Sequence, residues 1–389
     1  MKTNSIAAAL VVLAAAPLAP AEEPKLVNET VLMKDDEVSY DLSRPRPWSA
    51  RMSPDGEHLL FPRRAAPGQA GGARPPRQGY HVVLRHWKTK KETVLPIPRL
   101  VDVDDVLIPA LAMKPFSADG KLVVVPAAID ADGDGVWAEH EEMLQPALYD
   151  VAAGKLRRID AAGFVTIATF DAAGKHLIFT VVETMRPVSG KTYVAPVNTL
   201  KPKALASWGL PRTPRPGANV LAWAEIVMPP DGGRPLAKFA LYDYAKDAKV
   251  ADLPLHERNT SLDDYTPQWT ADGRYLYYVD VEMEPTAEGG TRRKLFRRVW
   301  DAKSNREAGK LSDRMVVGPC GGPTTMVLTR REGGAFLHDA ATGREQPLTG
   351  PPGARTAIRP LSTTGKYLLY VRTPPEGKPL LCRAEIRAK

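Results

Sequence analysis

Short hydrophobic runs alternate with tight polar turns along most of this chain. A recurring unit consists of a hydrophobic strand, a turn of the type Ser/Thr-x-Asp-Gly and a second hydrophobic strand. Copies of this unit occupy residues 52–61, 116–124, 170–179, 269–278 and 361–370. Each copy predicts a β-hairpin, because short apolar runs bounded by turn residues are typical of strands.

The turn sequence explains why each copy closes into a hairpin. In the first copy Pro54 takes the second position of a type I turn, Asp55 follows, and Gly56 takes the left-handed position. A further pair of strands follows most copies, for example at residues 147–150 with the turn at 153–154. Four strands repeated with a period of about 40 to 60 residues indicate an all-β fold, a β-propeller of four-stranded blades.

The number of blades depends on two degenerate repeats, at residues 216–224 and 320–329. The ring has seven blades if both are genuine and six if one is not. The final repeat ends after its third strand, near residues 380–386, so we expect the strand-like stretch 27–42 to supply the fourth strand and close the ring. A β-sandwich is the alternative, but sandwiches space their turns by about 8–12 residues without this longer period.

The turn-centred repeat resembles that of the TolB-type β-propeller family, which also supplies the N-terminal propeller of prolyl-oligopeptidase-like enzymes. The resemblance is carried by the turns at residues 53–56, 117–120 and 270–273 and extends from about residue 48 to the C-terminus. It implies a propeller fold. Because family members are often envelope or secreted proteins that bind other proteins, it also implies a role as a binding platform.

The N-terminus predicts export. Lys2, the apolar stretch 6–16 and the small residues 19–21 have the organisation of a secretory signal peptide spanning residues 1–21. The apolar stretch is too short to span a bilayer, and no later segment is long and apolar enough for a transmembrane helix. We therefore expect a periplasmic or secreted monomer in which residues 22–45 close the ring and residues 46–389 form the propeller.

The charge and cysteine content narrow the expected partners and redox state. The net charge is +8, which in an exported protein favours acidic proteins, lipid headgroups or anionic polysaccharide over nucleic acid. We interpret the densest basic run, residues 292–298, as an outer strand whose charges prevent edge-to-edge pairing. Cys320 and Cys382 are expected in neighbouring blades; export permits a disulfide, but their positions favour two buried free thiols.

Residues 130–141 match the twelve-residue calcium loop at each diagnostic position. The expected ligands are Asp130, Asp132, Asp134, the backbone carbonyl of Val136, and Glu141 as a bidentate carboxylate. A strand is predicted before the loop, over residues 121–129, and a short helix after it, over residues 137–144. The sequence therefore predicts a structural Ca²⁺ site in an insertion between two strands of the second blade.

Motifs for catalysis are not evident in the sequence. It contains no Gly-x-Ser-x-Gly, no His-Glu-x-x-His and no closely spaced zinc-ligand set. The acidic pairs 104–105 and 263–264 precede two predicted inner strands, where they line one face of the ring or lie in solvated loops. The leading hypothesis is a non-enzymatic platform that binds a protein or cell-envelope component on one propeller face. The alternative is a propeller enzyme, such as a lactonase, lyase or glycan hydrolase, that uses channel carboxylates.

Overall fold

The computed structural model of the chain contains β-strands as its regular secondary structure. The residues it describes are 24–34, 50–64, 79–101, 114–130, 133, 136–137, 143–185, 188–227, 236–254, 267–286, 289–330, 334–349, 358–374 and 377–387. Within these ranges 29 strands form seven sheets, and none of the residues is helical. No helix there is long and apolar enough to cross a membrane.

The seven sheets are the blades of a β-propeller, and within each blade the strands follow one another outward in antiparallel order. The first strand of the chain, β1 (Lys25–Lys34), belongs to the last blade. Blade 1 contains β2 (Arg51–Met52), β3 (His58–Arg64), β4 (Gly79–His86) and β5 (Glu92–Val94), and it is extended by β6 (Arg99–Val101) and β8 (Val136–Trp137). Blade 2 contains β7 (Leu122–Ala128), β9 (Leu144–Asp150) and β10 (Lys155–Arg158). Its innermost position is a single bridge between Phe116 and Val123.

The remaining five blades each have four strands. Blade 3 contains β11 (Val165–Phe170), β12 (His176–Met185), β13 (Val188–Pro196) and β14 (Lys203–Ala204). Blade 4 contains β15 (Leu210–Pro214), β16 (Val220–Val227), β17 (Leu236–Asp243) and β18 (Ala248–Asp252). Blade 5 contains β19 (Gln268–Trp269), β20 (Tyr275–Pro285), β21 (Thr291–Asp301) and β22 (Arg306–Ser312). Blade 6 contains β23 (Met315–Pro319), β24 (Thr325–Thr329), β25 (Ala335–Asp339) and β26 (Glu345–Pro347). Blade 7 contains β27 (Ile358–Thr363), β28 (Tyr367–Arg372), β29 (Leu380–Arg387) and β1.

The ring closes as the sequence predicts. β1 pairs antiparallel with β29, from Lys25 opposite Arg387 to Lys34 opposite Leu380. The innermost strand of blade 7, β27, contacts β2 of blade 1. Both degenerate repeats form complete blades, 4 and 6, so the count is seven rather than six.

The hydrophobic core lies between the blades. Successive side chains of a strand point to opposite faces of its sheet, so each blade packs against both of its neighbours. In β20, Leu276 and Tyr278 pack with Leu241 of blade 4, whereas Tyr275 and Tyr277 pack with Met326 and other residues of blade 6. Both faces of the sheet are therefore buried. This explains why the second strand of a repeat reads as a continuous apolar run.

The recurrent turn has a repeated hydrogen-bond pattern. In blade 1 the amide of Gly56 donates to the carbonyl of Ser53 (2.8 Å), and the amide of His58 donates to Ser53 Oγ (2.9 Å). The hydroxyl of Ser53 donates to Asp55, whose Oδ1 also accepts the amide of Glu57 (2.9 Å). The hydroxyl and the carboxylate of the motif thus satisfy backbone donors that the tight turn would leave without partners.

Two predictions on the outer parts of the ring need correction. The basic run 292–298 lies in β21, the third strand of blade 5, and β22 pairs with β21 from Phe296 onward. Arg297 and Arg298 lie within that pairing, are buried and do not protect an edge, whereas Arg292, Arg293 and Lys294 precede it. The prediction of a helix from residue 137 is wrong at Trp137, because Val136 and Trp137 form β8 and pair in parallel with β6. The expected free thiols are confirmed, because Cys320 and Cys382 are both buried and unpaired with each other.

Candidate functional site at the channel mouth

A cavity of about 400 Å³ opens at the axis of the ring, on the face that carries the recurrent turns. Every blade contributes an inner-strand residue to its wall, namely Met52, Phe116, Phe170, Pro214, Gln268, Pro319 and Ser362. We call this cavity the channel mouth. Its volume lies within the range of small-molecule sites, about 300–1,000 Å³.

Two cations line the channel mouth. Arg51 is in β2, and Lys114 lies three residues before Ser117, at the start of the inner segment of blade 2. Arg51 Nη1 donates to the carbonyl of Leu361 in blade 7 (3.4 Å). Arg51 is half-buried and Lys114 is exposed. Desolvation inside the channel lowers the pKa of Arg51 to about 10, because the surrounding protein solvates a cation less well than water does.

A carboxylate also lines the mouth, but it is committed to its own turn. Asp171 occupies the position that Ser53 has in blade 1, and its Oδ1 accepts the amides of Lys175 (2.7 Å) and His176 (3.1 Å). Its Oδ2 contacts His176 Nδ1 (2.9 Å) and accepts the hydroxyl of Tyr244 (3.1 Å). The structure thus forms an Asp–His pair that the sequence did not reveal. The bond from His176 matches the bond from His58 to Ser53, and the bond from Lys175 replaces the one that Glu57 donates to Asp55 in blade 1. Both support turn closure as the role of Asp171.

Much of the remaining wall consists of residues that cannot donate a hydrogen bond from the backbone. Proline residues at positions 54, 115, 214, 216 and 319 line the mouth and have no backbone N–H. Ser362 is 6% exposed, and its hydroxyl has no hydrogen-bond partner in the part of the chain that the structure describes. A buried hydroxyl without a partner costs about 1–3 kcal/mol, and because Ser362 Oγ is fully shielded, an atom in the cavity does not reach it.

The exposed apolar side chains of the described ranges do not form a continuous patch that would indicate a protein-binding surface on the rim. Across the described ranges the large exposed ones are Val31, Val94, Met143 and Val250, which lie on different blades. The apolar surface available to a ligand is instead the wall of the mouth itself.

Asp130 and Val136, the predicted calcium ligands within the described ranges, lie away from the mouth. β7 starts next to the turn at residues 118–120 and is seven residues long, so its end is about 23 Å from that turn at about 3.3 Å per residue. Asp130 follows this far end. β8, which contains Val136, pairs with β6, so the insertion from blade 2 joins the sheet of blade 1.

Several predicted site residues lie outside the described residues. They are Asp132, Asp134 and Glu141 of the calcium loop, the acidic pairs 104–105 and 263–264, and the signal peptide 1–21. No group of three or more His, Cys, Asp or Glu residues that could hold a metal ion occurs within the described ranges. Sequence reasoning missed Arg51, Lys114 and Ser362. Arg51 could have been found from the sequence, because it is a charged residue two positions before the turn in an otherwise apolar inner strand.

Comparison with known proteins places the fold. No family model matches the chain, and no curated protein matches it. A solved oligogalacturonate lyase in complex with manganese has a TM-score of 0.52 and 14% identity, covering 94% of this chain and 96% of the other. The shared feature is the fold.

Two further solved propellers have lower scores. The β-propeller domain of the Trilobed protease from Pyrococcus furiosus has a TM-score of 0.49 and 11% identity, over 87% of this chain and 96% of the other. TolB from Acinetobacter baumannii has a TM-score of 0.37 and 12% identity, over 86% of this chain and 82% of the other.

Proposed function

We propose that this protein is an exported, monomeric, non-enzymatic β-propeller that binds a protein or cell-envelope component on the face carrying the channel mouth. The observation that carries the proposal is the composition of the mouth, in which Arg51 and Lys114 stand in a mostly apolar wall. Convergent polar groups in an apolar concavity are typical of binding sites. The resemblance of the turns to TolB-type propellers supports the same role.

The second candidate is an enzyme that uses channel carboxylates. Glycan hydrolysis needs two carboxyl groups within about 5–10 Å of each other, one of them free to exchange a proton with the substrate. Asp171, the carboxylate found at the mouth within the described ranges, instead accepts two backbone amides, a tyrosine hydroxyl and a contact from His176. This engagement favours binding over catalysis.

The position of β1 supports export through a cleaved signal peptide. Cleavage after Ala21 would leave residues 22–24 ahead of β1, which begins at Lys25. The strand that closes the ring therefore survives processing. Intact-mass measurement of the exported protein checks this proposal, because the mature chain should begin at Glu22.

The calcium site is part of the same proposal, with a structural role. Asp130, Asp132, Asp134, the carbonyl of Val136 and Glu141 would hold the ion, and this all-oxygen donor set suits Ca²⁺. Because the insertion leaves blade 2 and pairs with β6 of blade 1, a bound cation would hold the two blades together on the side opposite the mouth. The manganese in the solved lyase is a precedent for a divalent cation in this fold.

Calcium should stabilise the wild-type protein against unfolding. At a calcium concentration 100-fold above Kd, binding to the folded state alone adds about 2.7 kcal/mol to the free energy of unfolding. Glu141→Gln removes the bidentate ligand and should abolish the shift in unfolding temperature between calcium and chelator. Glu142→Gln, next to the loop, is the matched control and should keep the shift. A Glu141→Gln protein with the wild-type shift would rule out the site.

The binding face can be tested by site-specific photo-crosslinking. A photoreactive amino acid at Ala271, exposed at the mouth, should give a defined adduct with one envelope component of the source organism. The same amino acid at Val250, exposed on an outer strand, is the control and should give none. Equal labelling at both positions, or none at Ala271, would contradict the proposed face.

A further inference from the structure

The hairpin formed by β20 and β21 extends beyond the outermost strand of blade 5. β20 and β21 pair along their whole length, as far as Pro285 opposite Thr291. β22 pairs with β21 only from Phe296 onward and ends at Ser312. Within the described ranges, residues 291–295 of β21 therefore have a strand on their inner side and none on their outer side. We call these five residues the open edge.

Two hydrogen bonds at the ends of the hairpin show which way the backbone groups of the open edge point. The amide of Thr286 donates to the carbonyl of Gly290 (2.8 Å), and the amide of Ala302 donates to the carbonyl of Arg274 (2.9 Å). Both pairs continue the register of β20 with β21. Because bonded and non-bonded pairs alternate along an antiparallel ladder, even-numbered residues of β21 bond to β20. The odd-numbered residues direct their N–H and C=O groups outward, and on the open edge these are Thr291, Arg293 and Leu295.

The outward backbone groups have room for a partner. No hydrogen bond joins them to another residue in the part of the chain that the structure describes. Thr291 is exposed and Leu295 is half-buried. A cavity of about 330 Å³ lies beside the open edge, lined on its other side by residues 313–315, which follow β22. A row of unpaired N–H and C=O groups is a template on which an extended chain adds as a further strand.

The open edge is remote from the channel mouth. The turn before Tyr275 contributes Ala271 to the mouth, and β20 runs away from that turn. The open edge pairs with residues 281–285 of β20. These begin six residues after Tyr275, about 20 Å along the strand at about 3.3 Å per residue. A partner bound here would therefore occupy a surface separate from the proposed binding face.

The charge of the open edge limits which strand it accepts. The segment contains three basic residues and no acidic one. Arg292 and Lys294 lie on the same face of β21 and share a single carboxylate, that of Glu284 (3.4 and 2.7 Å). One carboxylate balances one of the two cations, so this face keeps an excess of positive charge.

The lining of the adjacent cavity has the same sign. Arg297 and Arg314 contribute to it, and Asp313 is the acidic residue of the described lining. Arg314 shares the carboxylate of Glu345 (2.8 Å) with Arg330 (3.6 Å). Cations therefore outnumber carboxylates around the open edge. Opposite charges on paired strands are stabilising and like charges are destabilising.

We propose that the open edge binds an extended acidic segment of a partner protein, which adds to β21 as an antiparallel strand in line with β22. Acidic side chains at alternate positions of that segment face Arg292 and Lys294. A second copy of this edge matches the backbone but sets cations opposite cations. An anionic polysaccharide matches the charge but lacks the alternating N–H and C=O groups.

The first test measures peptide binding to the full mature protein by fluorescence anisotropy. A fluorescein-labelled peptide of sequence Val-Glu-Val-Glu-Val should bind, and its analogue Val-Lys-Val-Lys-Val should bind about 10-fold more weakly. N-methylation of the central valine removes the amide that faces Arg293 and should weaken binding about 10-fold. N-methylation of the first glutamate, whose amide faces away from β21, is the matched control and should leave the affinity unchanged.

The second test places the peptide on the open edge. Lys294→Glu should lower the affinity for the glutamate peptide about 10-fold and raise the affinity for the lysine peptide. Lys303→Glu makes the same charge change in the exposed turn between β21 and β22, and it should alter neither affinity. Thermal unfolding of both variants verifies that the fold is kept.

Four outcomes would overturn the proposal. The first is no binding of the glutamate peptide to the wild type. The second is equal binding of the two N-methylated peptides, which would mean that charge alone is recognised, as expected for a polysaccharide site. The third is wild-type affinity for the glutamate peptide in a folded Lys294→Glu protein. The fourth is a dimer of the wild type that Lys294→Glu abolishes, which would identify a second copy as the occupant.

Discussion

Arg298 in β21 shows how a basic run can be structural. Its side chain is 5% exposed, and it contacts Asp280 (Nε to Oδ2, 2.5 Å), Glu282 (Nη2 to Oε1, 3.1 Å) and Glu307. Burial opposes the charged guanidinium, but the hydrogen bonds that it donates to Asp280 and Glu307 outweigh burial and raise the pKa of Arg298. The cation thus balances carboxylates from strands on both sides of β21, and its role is internal to blade 5.

Replacing Arg298 should therefore be costly. Arg298→Met removes one cation from the fully buried Asp280, and removing one partner of a buried ion pair costs about 3–5 kcal/mol in the free energy of unfolding. The side chain of Arg292, which pairs with Glu284, is 70% exposed. Arg292→Met should therefore lower the free energy of unfolding by less than about 1 kcal/mol. Urea unfolding of both variants tests the difference, and equal small losses would refute this role for Arg298.

Asp301 should contribute a pH-dependent part of the stability. Hydrogen bonds from the Arg274 guanidinium (3.0 and 3.3 Å) lower the pKa of Asp301 to about 2. A lowered pKa in the folded state stabilises the protein above the unfolded value, about 3.8, and the contribution disappears as the pH falls through about 2. Because Arg274 is 42% exposed, solvent screening should keep the contribution below about 1 kcal/mol.

Asp301→Asn tests this contribution directly. The variant should unfold at a lower temperature than the wild type at pH 6, and the difference should narrow as the pH falls from about 4 towards 2. Thermal unfolding followed across that range provides the measurement. A difference that stays constant down to the lowest pH would show that the carboxylate charge is not the cause.

At the scale of an element, the recurrent turn also packs against its neighbour. Gly273 has a φ of +69°, and a Cβ there would lie 2.7 Å from the carbonyl oxygen of Pro216, in the turn of blade 4. Gly217 has a similar φ of +71°, but a Cβ there would meet no atom within 4 Å. Both glycines therefore allow their turn to form. Of the two, only Gly273 also allows the turns of blades 4 and 5 to lie in contact.

This contrast predicts different costs for the same substitution. Gly217→Ala should cost about 1–2 kcal/mol in the free energy of unfolding, from left-handed backbone strain alone. Gly273→Ala should cost more, because blade 4 and blade 5 must also move apart. Denaturant unfolding of the two variants compares them. Equal costs would show that the turns yield to the extra methyl group without loss.

At the scale of the whole molecule, β1 links the first residues of the described chain to the last blade. Met33 in β1 is fully buried, packing in a cluster with Leu381 of β29, whereas Val31 of the same strand is 44% exposed. Cys382 lies opposite Val31 in the pairing and is fully buried. Burial raises the pKa of the Cys382 thiol to about 12, so the thiol should react slowly while the ring is closed.

Thiol reactivity can therefore report on ring closure. Met33→Asp places a carboxylate in the apolar contact between β1 and its neighbours, and it should lower the unfolding temperature and speed the labelling of Cys382. Val31→Asp, on the exposed side of β1, is the control and should label at the wild-type rate. Cys320→Ala in both backgrounds assigns the signal to Cys382. Unchanged labelling in Met33→Asp would mean that β1 does not control closure.

The all-β class, the repeat and the closure by an N-terminal strand could all be predicted from the amino-acid sequence. These features are local: Ser53, Asp55 and Gly56 form a turn through hydrogen bonds within a few residues, and the apolar run after the turn must be buried on both faces. The final repeat ends after its third strand, near residues 380–386, and this likewise predicted that the last blade needs a fourth strand from elsewhere in the chain.

The tertiary structure alone decided which residues meet at the axis and which strand is outermost. Arg51, Lys114 and Ser362 are brought together by the closed ring, although Arg51 and Ser362 lie in the first and the last blade. Their convergence depends on inner-strand register, which no local pattern encodes. The basic run was assigned to an outer strand because charge usually marks exposure. Only the pairing of β21 with both β20 and β22 showed that carboxylates on the neighbouring strands neutralise Arg298 inside blade 5.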